Sequence, residues 1–253
     1  GEDALFMCNA ILEGSHQSVA DHLTPWVCNW APGYWSLDTC HTPADAVAVA
    51  NYMAHVTQPV AWISTSVSAD KLKYLLRQDA VRGYKCLLVA VYNNDQMAAI
   101  TTALESGVDL HQLFITSSTP CRSFRVSSPS HLRCLRLSKN TYNSQHLVSS
   151  LPHMKDLDSL SLYQCDVRAL LARSESGVPV LCKLPRLRYL CLKECGVRSR
   201  DVDVLSQVVL DRRLEWLDLT ENDIGDQRAH KLAESVQSEV CMLRALILKE
   251  CNI

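Results

Sequence analysis

The hydrophobic positions of the chain recur in one fixed pattern, which is clearest in the C-terminal half. Leucines stand at the first, fourth and sixth positions of a short segment, and an asparagine or cysteine stands at the ninth. The segments LEWLDLTEN, from residue 214, and LRALILKEC, from residue 243, both show this pattern. Five such units begin at residues 132, 157, 187, 214 and 243, and their starts are 25, 30, 27 and 29 residues apart. A period of this length is the signature of a protein built from stacked repeats.

Four looser units precede the regular ones and keep a similar period. Their first positions are taken by Pro32, Val60, Cys86 and Leu110. The starts are 28, 26 and 24 residues apart, and 22 more residues lead to the first regular unit. Each unit is weak alone because apolar triplets are common, but together they extend the repeat upstream.

The segments between the units carry helix signals. In TPADAVAVANYMAH, Thr42 suits the N-cap, Pro43 the first helical position and Asp45 the first turn. Gly107 is placed to end the helix predicted for NDQMAAITTALESG. Further helices are predicted for SADKLKYLLRQ, SRDVDVLSQVVL and DQRAHKLAESVQ. The segment just before the first regular unit is short and rich in serine and proline, and predicts an irregular turn.

A unit of one strand and one helix cannot bury its apolar face alone, so the units must stack. The pattern predicts an α/β solenoid with a parallel sheet on the concave side and helices on the convex side. The ninth side chain sits where the chain leaves the strand and can bond otherwise unpaired backbone groups. This explains the cysteines at that position without a redox or metal role, and they are Cys40, Cys165, Cys195 and Cys251.

The chain divides into three parts on this reading. Residues 1–30 read as a helical segment before the repeats, residues 31–131 as degenerate repeats and residues 132–253 as regular repeats. The last unit stops after its strand without a helix or polar cap, so we expect a truncated end. The formal net charge is −2, which gives no reason to expect nucleic acid or an anionic membrane as partner. No stretch of eighteen apolar residues occurs, so no membrane span is predicted.

The units resemble ribonuclease-inhibitor-type leucine-rich repeats over residues 32–253. The segment ALFMCNAILEG, running directly into such repeats, resembles the last helical segment before the repeats in cytosolic NOD-like receptors. The resemblance implies the C-terminal sensor region of an innate immune receptor, acting by pattern recognition in the cytoplasm. It implies a protein or microbial ligand on the concave face, and a nucleotide-binding domain elsewhere in a longer parent chain as a second partner. The G-x-x-x-x-G-K-[ST] loop of that domain does not occur here.

No catalytic constellation stands out in the sequence. The nine histidines are scattered, and no G-x-S-x-G, H-E-x-x-H or zinc-type cysteine spacing accompanies them. We therefore expect no enzyme activity, no cofactor and no metal site.

A sheet of stacked repeats forms a wide surface suited to binding, and strand periodicity predicts which residues are exposed on it. Because positions one, four and six face inward, positions three and five face the concavity, and seven and eight lie on its rim. One candidate partner-binding cluster mixes aromatic and charged side chains: Tyr163, Tyr189, Trp216, Asp218 and Glu221. A second candidate surface is N-terminal: Tyr34, Trp62, Tyr92 and Phe114. Aromatic residues also cover neighbouring strands, and a register error would move Trp62 or Phe114 into the core.

Two other classes of protein share this architecture. A free-standing inhibitor or scaffold would bind a protein through the same concave face, although strong charge complementarity with a basic target is not suggested by the near-neutral balance. A secreted repeat receptor would carry disulfide-bonded caps and Asn-x-Ser/Thr acceptors, and the sequence has no such acceptor. Absence of these features, with cysteines in packing positions, favours a reducing cytosol.

Overall fold

A computed structural model describes residues 34–36, 42–55, 62–81, 85–117, 124–139, 144–173, 177–211 and 213–253. For residues 34–36 and 62–64 only the backbone is described. The helical segment predicted for residues 1–30, and the turn position of Cys40, lie outside the described residues.

The contacts divide the described residues into two compact units. The N-unit comprises residues up to 116 together with 128–132, and the C-unit comprises residues 117–127 together with 133–253. Each unit combines parallel strands with helices, so the fold is α/β and is consistent with a leucine-rich-repeat solenoid.

The N-unit alternates strands and helices in chain order. Its strands are β1 (Tyr34–Ser36), β2 (Trp62–Thr65), β3 (Cys86–Val91) and β4 (Gln112–Ser117). Its helices are α1 (Pro43–His55), α2 (Ala69–Leu75), α3 (Gln78–Val81) and α4 (Asn94–Glu105). The strands lie side by side in the order β1, β2, β3, β4, and the first three are paired in parallel.

The predicted signals at the ends of α1 and α4 are confirmed. Before α1, the Thr42 N–H donates to the Asp45 carboxylate over 2.7 Å and the Asp45 N–H donates to the Thr42 hydroxyl over 3.2 Å, which is a reciprocal cap. After α4, Gly107 has a φ of 79° and donates to the Leu104 carbonyl. The following Val108 N–H reaches back to Ala103, so the helix ends in a Schellman motif.

The register of β3 corrects one of the looser units. The alignment that starts at Cys86 places Val89 at the fourth position, but Leu87 is the residue that pairs with Ile63 of β2. The third unit therefore begins two residues earlier than predicted. Inward and outward faces are unchanged because a shift of two residues preserves the pleat. The segment CLLVAV is apolar throughout, so its composition could not distinguish the two alignments.

The C-unit contains the five regular repeats. Its strands are β5 (Cys134–Ser138), β6 (Ser159–Tyr163), β7 (Tyr189–Lys193), β8 (Trp216–Asp218) and β9 (Ala245–Ile247). Its α-helices are α5 (Ser144–Ser150), α6 (Val202–Leu210) and α7 (Asp226–Val236). Three 3₁₀ turns cover Leu151–His153, Val180–Lys183 and Ser199–Asp201.

The register of the C-unit agrees with the repeat pattern throughout. Neighbouring strands are parallel, and the residues paired across them at the third position are Cys134, Ser159, Tyr189, Trp216 and Ala245. The predicted irregular segment before the first regular repeat is also confirmed, because residues 124–133 contain no helix or strand.

The repeat leucines form the core of the C-unit. In the four repeats that begin at residues 132, 157, 187 and 214, the leucines at positions one, four and six are at most 3% exposed. Burying each such side chain stabilises the fold by about 1.5–3 kcal/mol. In the last repeat Leu243, Leu246 and Leu248 are partly exposed.

Candidate functional site: the open strand face of the C-unit

We call the face of β5–β9 that carries positions three, five and seven the open strand face. Its two edges are the entry row, at positions two and three, and the exit row, at positions seven and eight. At the entry row, the N–H groups of positions two and three both donate to the position-two carbonyl of the preceding repeat. For example, Glu215 and Trp216 donate to the Arg188 oxygen over 2.8 and 3.0 Å. This shared bond holds the entry-row backbone of each repeat against the next.

The exit row is held by the ninth side chain. Asn222 is buried, and its amide nitrogen donates to the carbonyls of Leu192, Leu219 and Thr220 over 2.8, 2.7 and 3.2 Å. Its amide oxygen accepts from the backbone of Cys195 and Val197 over 3.1 and 2.9 Å. One asparagine thus satisfies backbone groups of two consecutive repeats, as its position in the pattern predicts.

The cysteines at the ninth position bond backbone carbonyls in the same way as Asn222, but more weakly. The Cys195 thiol lies 3.4 Å from the Leu162 carbonyl and 3.3 Å from that of Lys193. Cys165 and Cys251 make the equivalent contacts in their own repeats. Burial raises the pKa of Cys195 to about 12, so the thiol stays protonated and donates at neutral pH. The turn-residue interpretation of these cysteines is confirmed.

The eighth position has its own conformation. Lys139, Gln164, Glu194, Glu221 and Glu250 all have positive φ values, between 53° and 61°. This left-handed region is uncommon for residues other than glycine. In the first four of these repeats the eighth N–H donates to the seventh carbonyl of the next repeat, as from Glu194 to Thr220 over 2.9 Å. The turn places a long polar side chain at the same point of every repeat.

The entry row brings two of the predicted residues together. Tyr189 and Trp216 are paired across β7 and β8, and they are 38% and 41% exposed. Aromatic rings left this accessible on a strand face are a common feature of protein interfaces. Their flanking partners Ser159 and Ala245 are small. The two rings therefore stand out from the entry row.

A row of charges accompanies the aromatic pair, and the prediction did not include it. The residues at position two alternate in sign, and they are Arg133, Asp158, Arg188, Glu215 and Arg244. Arg188 contacts Glu215 at 2.7 Å and lies 5.5 Å from the centroid of the Tyr189 ring. Hydrogen bonding from Arg188 holds the pKa of Glu215 below its usual value of 4.5. The alternation is visible in the sequence once the repeats are aligned.

The exit row holds a second predicted group. The Lys193 ammonium lies 2.6 Å from Glu221 and 5.8 Å from the centroid of the Tyr163 ring. A hydrogen bond to the Glu194 carboxylate raises the pKa of Tyr163, because ionising the phenol would place two negative charges together. Gln164 also donates to Glu194 over 2.9 Å. The lysine thus links the predicted residues Tyr163 and Glu221.

Asp218, the fifth predicted residue, has a local structural role. It accepts from the Thr220 N–H over 2.9 Å and from the Thr220 hydroxyl over 2.6 Å. The Cys191 thiol lies 3.7 Å from its second oxygen. Much of its bonding capacity is therefore used within the strand end.

The predicted cluster is divided between the two edges of the face. Tyr189 and Trp216 occupy the entry row, whereas Tyr163 and Glu221 occupy the exit row. Four residues of strand separate the third position from the seventh, which is about 13 Å. A shallow depression of about 540 Å³ adjoins the exit row, and its lining residues are Lys139, Gln164, Cys165, Asp166, Glu194 and Cys195.

The second candidate surface is described only in part. Tyr34 and Trp62 are paired through their backbones across β1 and β2, as the repeat alignment predicts, and their side chains lie outside the described residues. Tyr92 is 52% exposed just beyond β3. Phe114 is partly exposed on β4, between the buried Leu113 and Ile115, so it belongs to the outward face.

Within the described ranges, no group of three or more histidine, cysteine or acidic side chains is placed to hold a metal ion. In the same part of the chain no helix has the length and apolarity needed to cross a membrane. The open strand face offers aromatic surface, hydrogen bonds and fixed charges, which are the means of molecular recognition.

No protein-family model matches the chain. It is similar to several NACHT, LRR and PYD domains-containing proteins. Protein 9B of Mus musculus is 25% identical over 138 residues, which is 54% of this chain and 13% of that protein. Protein 9 of Bos taurus is 36% identical over 113 residues, or 42% of the chain and 11% of that protein. Protein 12 of Homo sapiens is 30% identical over 139 residues, which is 51% of this chain and 12% of that protein.

These similarities relate the chain to a region of NOD-like receptors of the NACHT, LRR and PYD type. The matches span only 11 to 13% of the length of these three relatives. The activities of the whole relatives therefore do not transfer to this chain by similarity alone.

Proposed function

We propose that this chain is the leucine-rich-repeat region of a cytosolic NOD-like innate immune receptor, with a non-catalytic role in recognition and autoregulation. The observation that carries the proposal is the exposed Tyr189–Trp216 pair on a preformed row of parallel strands. Similarity to proteins named for NACHT, LRR and PYD domains supports the receptor context.

The mechanism is binding through a rigid face. Shared backbone bonds at the entry row and the ninth-position side chains hold the strands before a partner arrives, so little ordering entropy is lost on binding. The aromatic pair supplies apolar contact area, and the alternating charges beside it supply orientation. In the solenoid we propose, this face lines the concave side of a horseshoe.

Autoregulation follows if the parent receptor exists in closed and assembled states. A nucleotide-binding domain of the parent chain that binds the open strand face in only one state would favour that state by its binding free energy. A ligand competing for the same face would then release the switch. No chemical step is required of the repeats, in keeping with the thiols that burial keeps protonated.

A cytoplasmic location agrees with the state of the cysteines. Three cysteines of the described ranges, Cys165, Cys195 and Cys251, serve as hydrogen-bond donors at the ninth position through their thiols. Oxidation would remove those donors, so a reducing compartment suits the fold.

The test begins with the transcript upstream of the codon for Gly1. A nucleotide-binding loop in the same reading frame is expected, and its absence would contradict the receptor assignment. The encoded nucleotide-binding segment is then co-expressed with this chain as a separate polypeptide, and their association is measured. Replacing Tyr189 and Trp216 by alanine should weaken the association by about tenfold or more, the effect typical of aromatic hot spots.

The control is Tyr74→Ala. Tyr74 is 37% exposed on helix α2 of the N-unit, so it matches Tyr189 in residue type and exposure. Its replacement should leave the association unchanged. Equal binding by the Tyr189/Trp216 double variant and by the control would remove the basis for this face as the recognition surface.

A further inference from the structure

The charge of this chain is unevenly distributed along the sequence. Between Asp109 and Asp156 the sequence contains no aspartate or glutamate, although the whole chain has 27 of them. The same stretch carries six cations, which are Arg122, Arg125, Arg133, Arg136, Lys139 and Lys155. A chain with a net charge of −2 therefore contains one strongly basic stretch.

The structure places three of these cations on the β5 repeat. Arg133, Arg136 and Lys139 occupy its second, fifth and eighth positions, and all three are exposed. None of them forms an ion pair with a carboxylate of the described residues. We call these three residues the basic edge.

The rest of the open strand face is different. Arg188 and Arg244 directly precede β7 and β9, and Lys193 is the last residue of β7. Each contacts a carboxylate, at 2.7, 3.6 and 2.6 Å respectively. The charges of β7 to β9 are thus largely balanced within the protein. Among the described cations of the open strand face, those of the basic edge are the ones that form no ion pair.

Small side chains surround the central guanidinium. Arg136 is paired across the sheet with Ser161, and the neighbouring third positions are Cys134 and Ser159. These three neighbours are half-buried, whereas Arg136 is exposed. The nearest bulky side chain on the same face of β6 is Tyr163, two residues beyond Ser161, and its ring contacts Lys193. The exposed guanidinium donors of Arg136 can therefore meet a planar carboxylate from outside.

We propose that the basic edge docks an acidic segment of a partner protein, with carboxylates on Arg136 and on Arg133 or Lys139. Three residues of strand span about 10 Å, so the partner presents carboxylates at about that spacing. The inference rests on the proposed function, since it assigns an acidic segment of the partner to the β5 end of the same open strand face. It leaves the aromatic pair to bind a different part of that partner.

A nucleic acid fits this surface less well. Strand spacing places β7 about 10 Å and β8 about 14 Å from β5. Glu194 directly follows β7, Glu221 follows β8 by three residues, and Asp218 is the last residue of β8. A polyanion running along the face would meet these carboxylates. A compact acidic protein segment occupies the basic edge without reaching them.

The test uses the full 253-residue chain and a fluorescein-labelled peptide of alternating glutamate and glycine, with the glutamine–glycine peptide as reference. Binding is followed by fluorescence anisotropy at low and at physiological salt. The glutamate peptide should bind and the glutamine peptide should not. The double variant Arg133→Gln/Arg136→Gln should weaken binding by about tenfold, the effect of losing two exposed charge pairs. The salt dependence should become shallower.

The matched control is Arg168→Gln/Arg186→Gln, which removes the same charge from two exposed arginines that already contact Asp166 and Asp156. Equal weakening by both double variants would show a general charge effect and overturn the proposal. Tighter binding of a single-stranded oligonucleotide, lost in the Arg133/Arg136 variant, would also overturn it. The peptide assay contains no receptor segment, so its failure is distinguishable from failure of the association that tests the proposed function.

Discussion

The N-unit and the C-unit both join parallel strands through helices, but one connection of the C-unit is different. In the N-unit the connections are α-helical, and α1 and α4 contain 13 and 12 residues. In the C-unit the connection between β6 and β7 has no α-helix in its described part and contains one 3₁₀ turn, Val180–Lys183. Yet the C-unit has the more regular strand pattern. Regularity of the strands therefore does not predict helicity of the connections.

The two units also differ in how the chain leaves each strand. In the C-unit the ninth side chain bonds the backbone of adjacent repeats. In the N-unit a helical residue, Gln96, does comparable work. Its side chain accepts from the Tyr92 N–H over 2.7 Å and donates to the Val67 carbonyl over 2.7 Å, and it is buried. Backbone N–H and carbonyl groups at the strand ends are thus hydrogen-bonded in both units, but by side chains at different positions of the repeat.

The largest expected effect comes from Asn222. Replacing it by alanine leaves the backbone groups at Leu192, Cys195 and Val197 buried without this partner. Each such loss costs about 1–3 kcal/mol, so unfolding free energy should fall by about 3 kcal/mol or more. Urea unfolding followed by circular dichroism measures the change.

Asn222→Cys is the informative control for that prediction. Cysteine stands at the same position in three other repeats of the C-unit and can donate to the carbonyls, but it cannot replace the amide oxygen as acceptor. Its cost should lie between zero and that of alanine. An alanine variant as stable as wild type would show that water replaces the side chain.

The N-unit counterpart is Gln96→Ala. Two backbone groups lose their partner, so the expected loss of unfolding free energy is about 2 kcal/mol, smaller than for Asn222→Ala. Thr102→Ala, at an exposed position of the same helix, should change stability by less than about 0.5 kcal/mol. If Gln96→Ala reduced the unfolding free energy as little as Thr102→Ala, Gln96 would not be the counterpart of Asn222 in bonding the backbone at the end of a strand.

Cys195→Ala should cost less, about 1 kcal/mol, because a thiol is a weak donor and the lost volume is small. Its high pKa also predicts that a thiol reagent reacts with Cys195 only after the repeat opens. Labelling followed by mass spectrometry over time tests this. Labelling of Cys195 as fast as that of the less buried Cys241 would contradict the buried-donor role.

The smallest effect is expected from the entry-row carboxylate. Hydrogen bonding from Arg188 lowers the pKa of Glu215 in the folded protein, so the stabilising contribution exists above the unfolded pKa and is lost as the pH falls below about 4.5. Glu215→Gln should therefore flatten the fall in stability between about pH 5 and pH 3.

Asp109 offers the matching measurement in the N-unit. Hydrogen bonding from Lys85 lowers its pKa, so Asp109→Asn should also flatten the acid side of the stability curve. Denaturant midpoints measured at several pH values compare the two variants. A curve that is unchanged in both would mean that neither pair contributes to acid sensitivity.

Much of the fold follows from the sequence where the leucine pattern is unbroken. The register of β5 to β9 and the hydrogen-bonded role of Cys165, Cys195 and Asn222 were predictable, because a strand has a period of two and a wrong register would expose its leucines. The register of β3 was not predictable, because an entirely apolar strand satisfies several alignments. The pattern is defined by strands, so it also could not predict that the described part of the connection between β6 and β7 contains no α-helix.

The candidate site was predictable only as a set of residues. Strand periodicity put Tyr189 and Trp216 on the outward face, and they are exposed there. It treated Tyr163, Asp218 and Glu221 as part of the same cluster. The structure separates them, since Asp218 bonds to Thr220 and the other two meet at Lys193.

The sequence by itself determined the repeat period and the inward and outward faces of the regular strands. Both are local properties, because they depend on residues a few positions apart along one strand. The tertiary structure decided which side chains are neighbours on the open strand face. Such neighbours come from repeats 25 to 30 residues apart, and stacking brings them to about 4.8 Å between strands. Charge pairing across that spacing leaves Arg136 without an ion-pair partner in the described residues and gives Arg188 one.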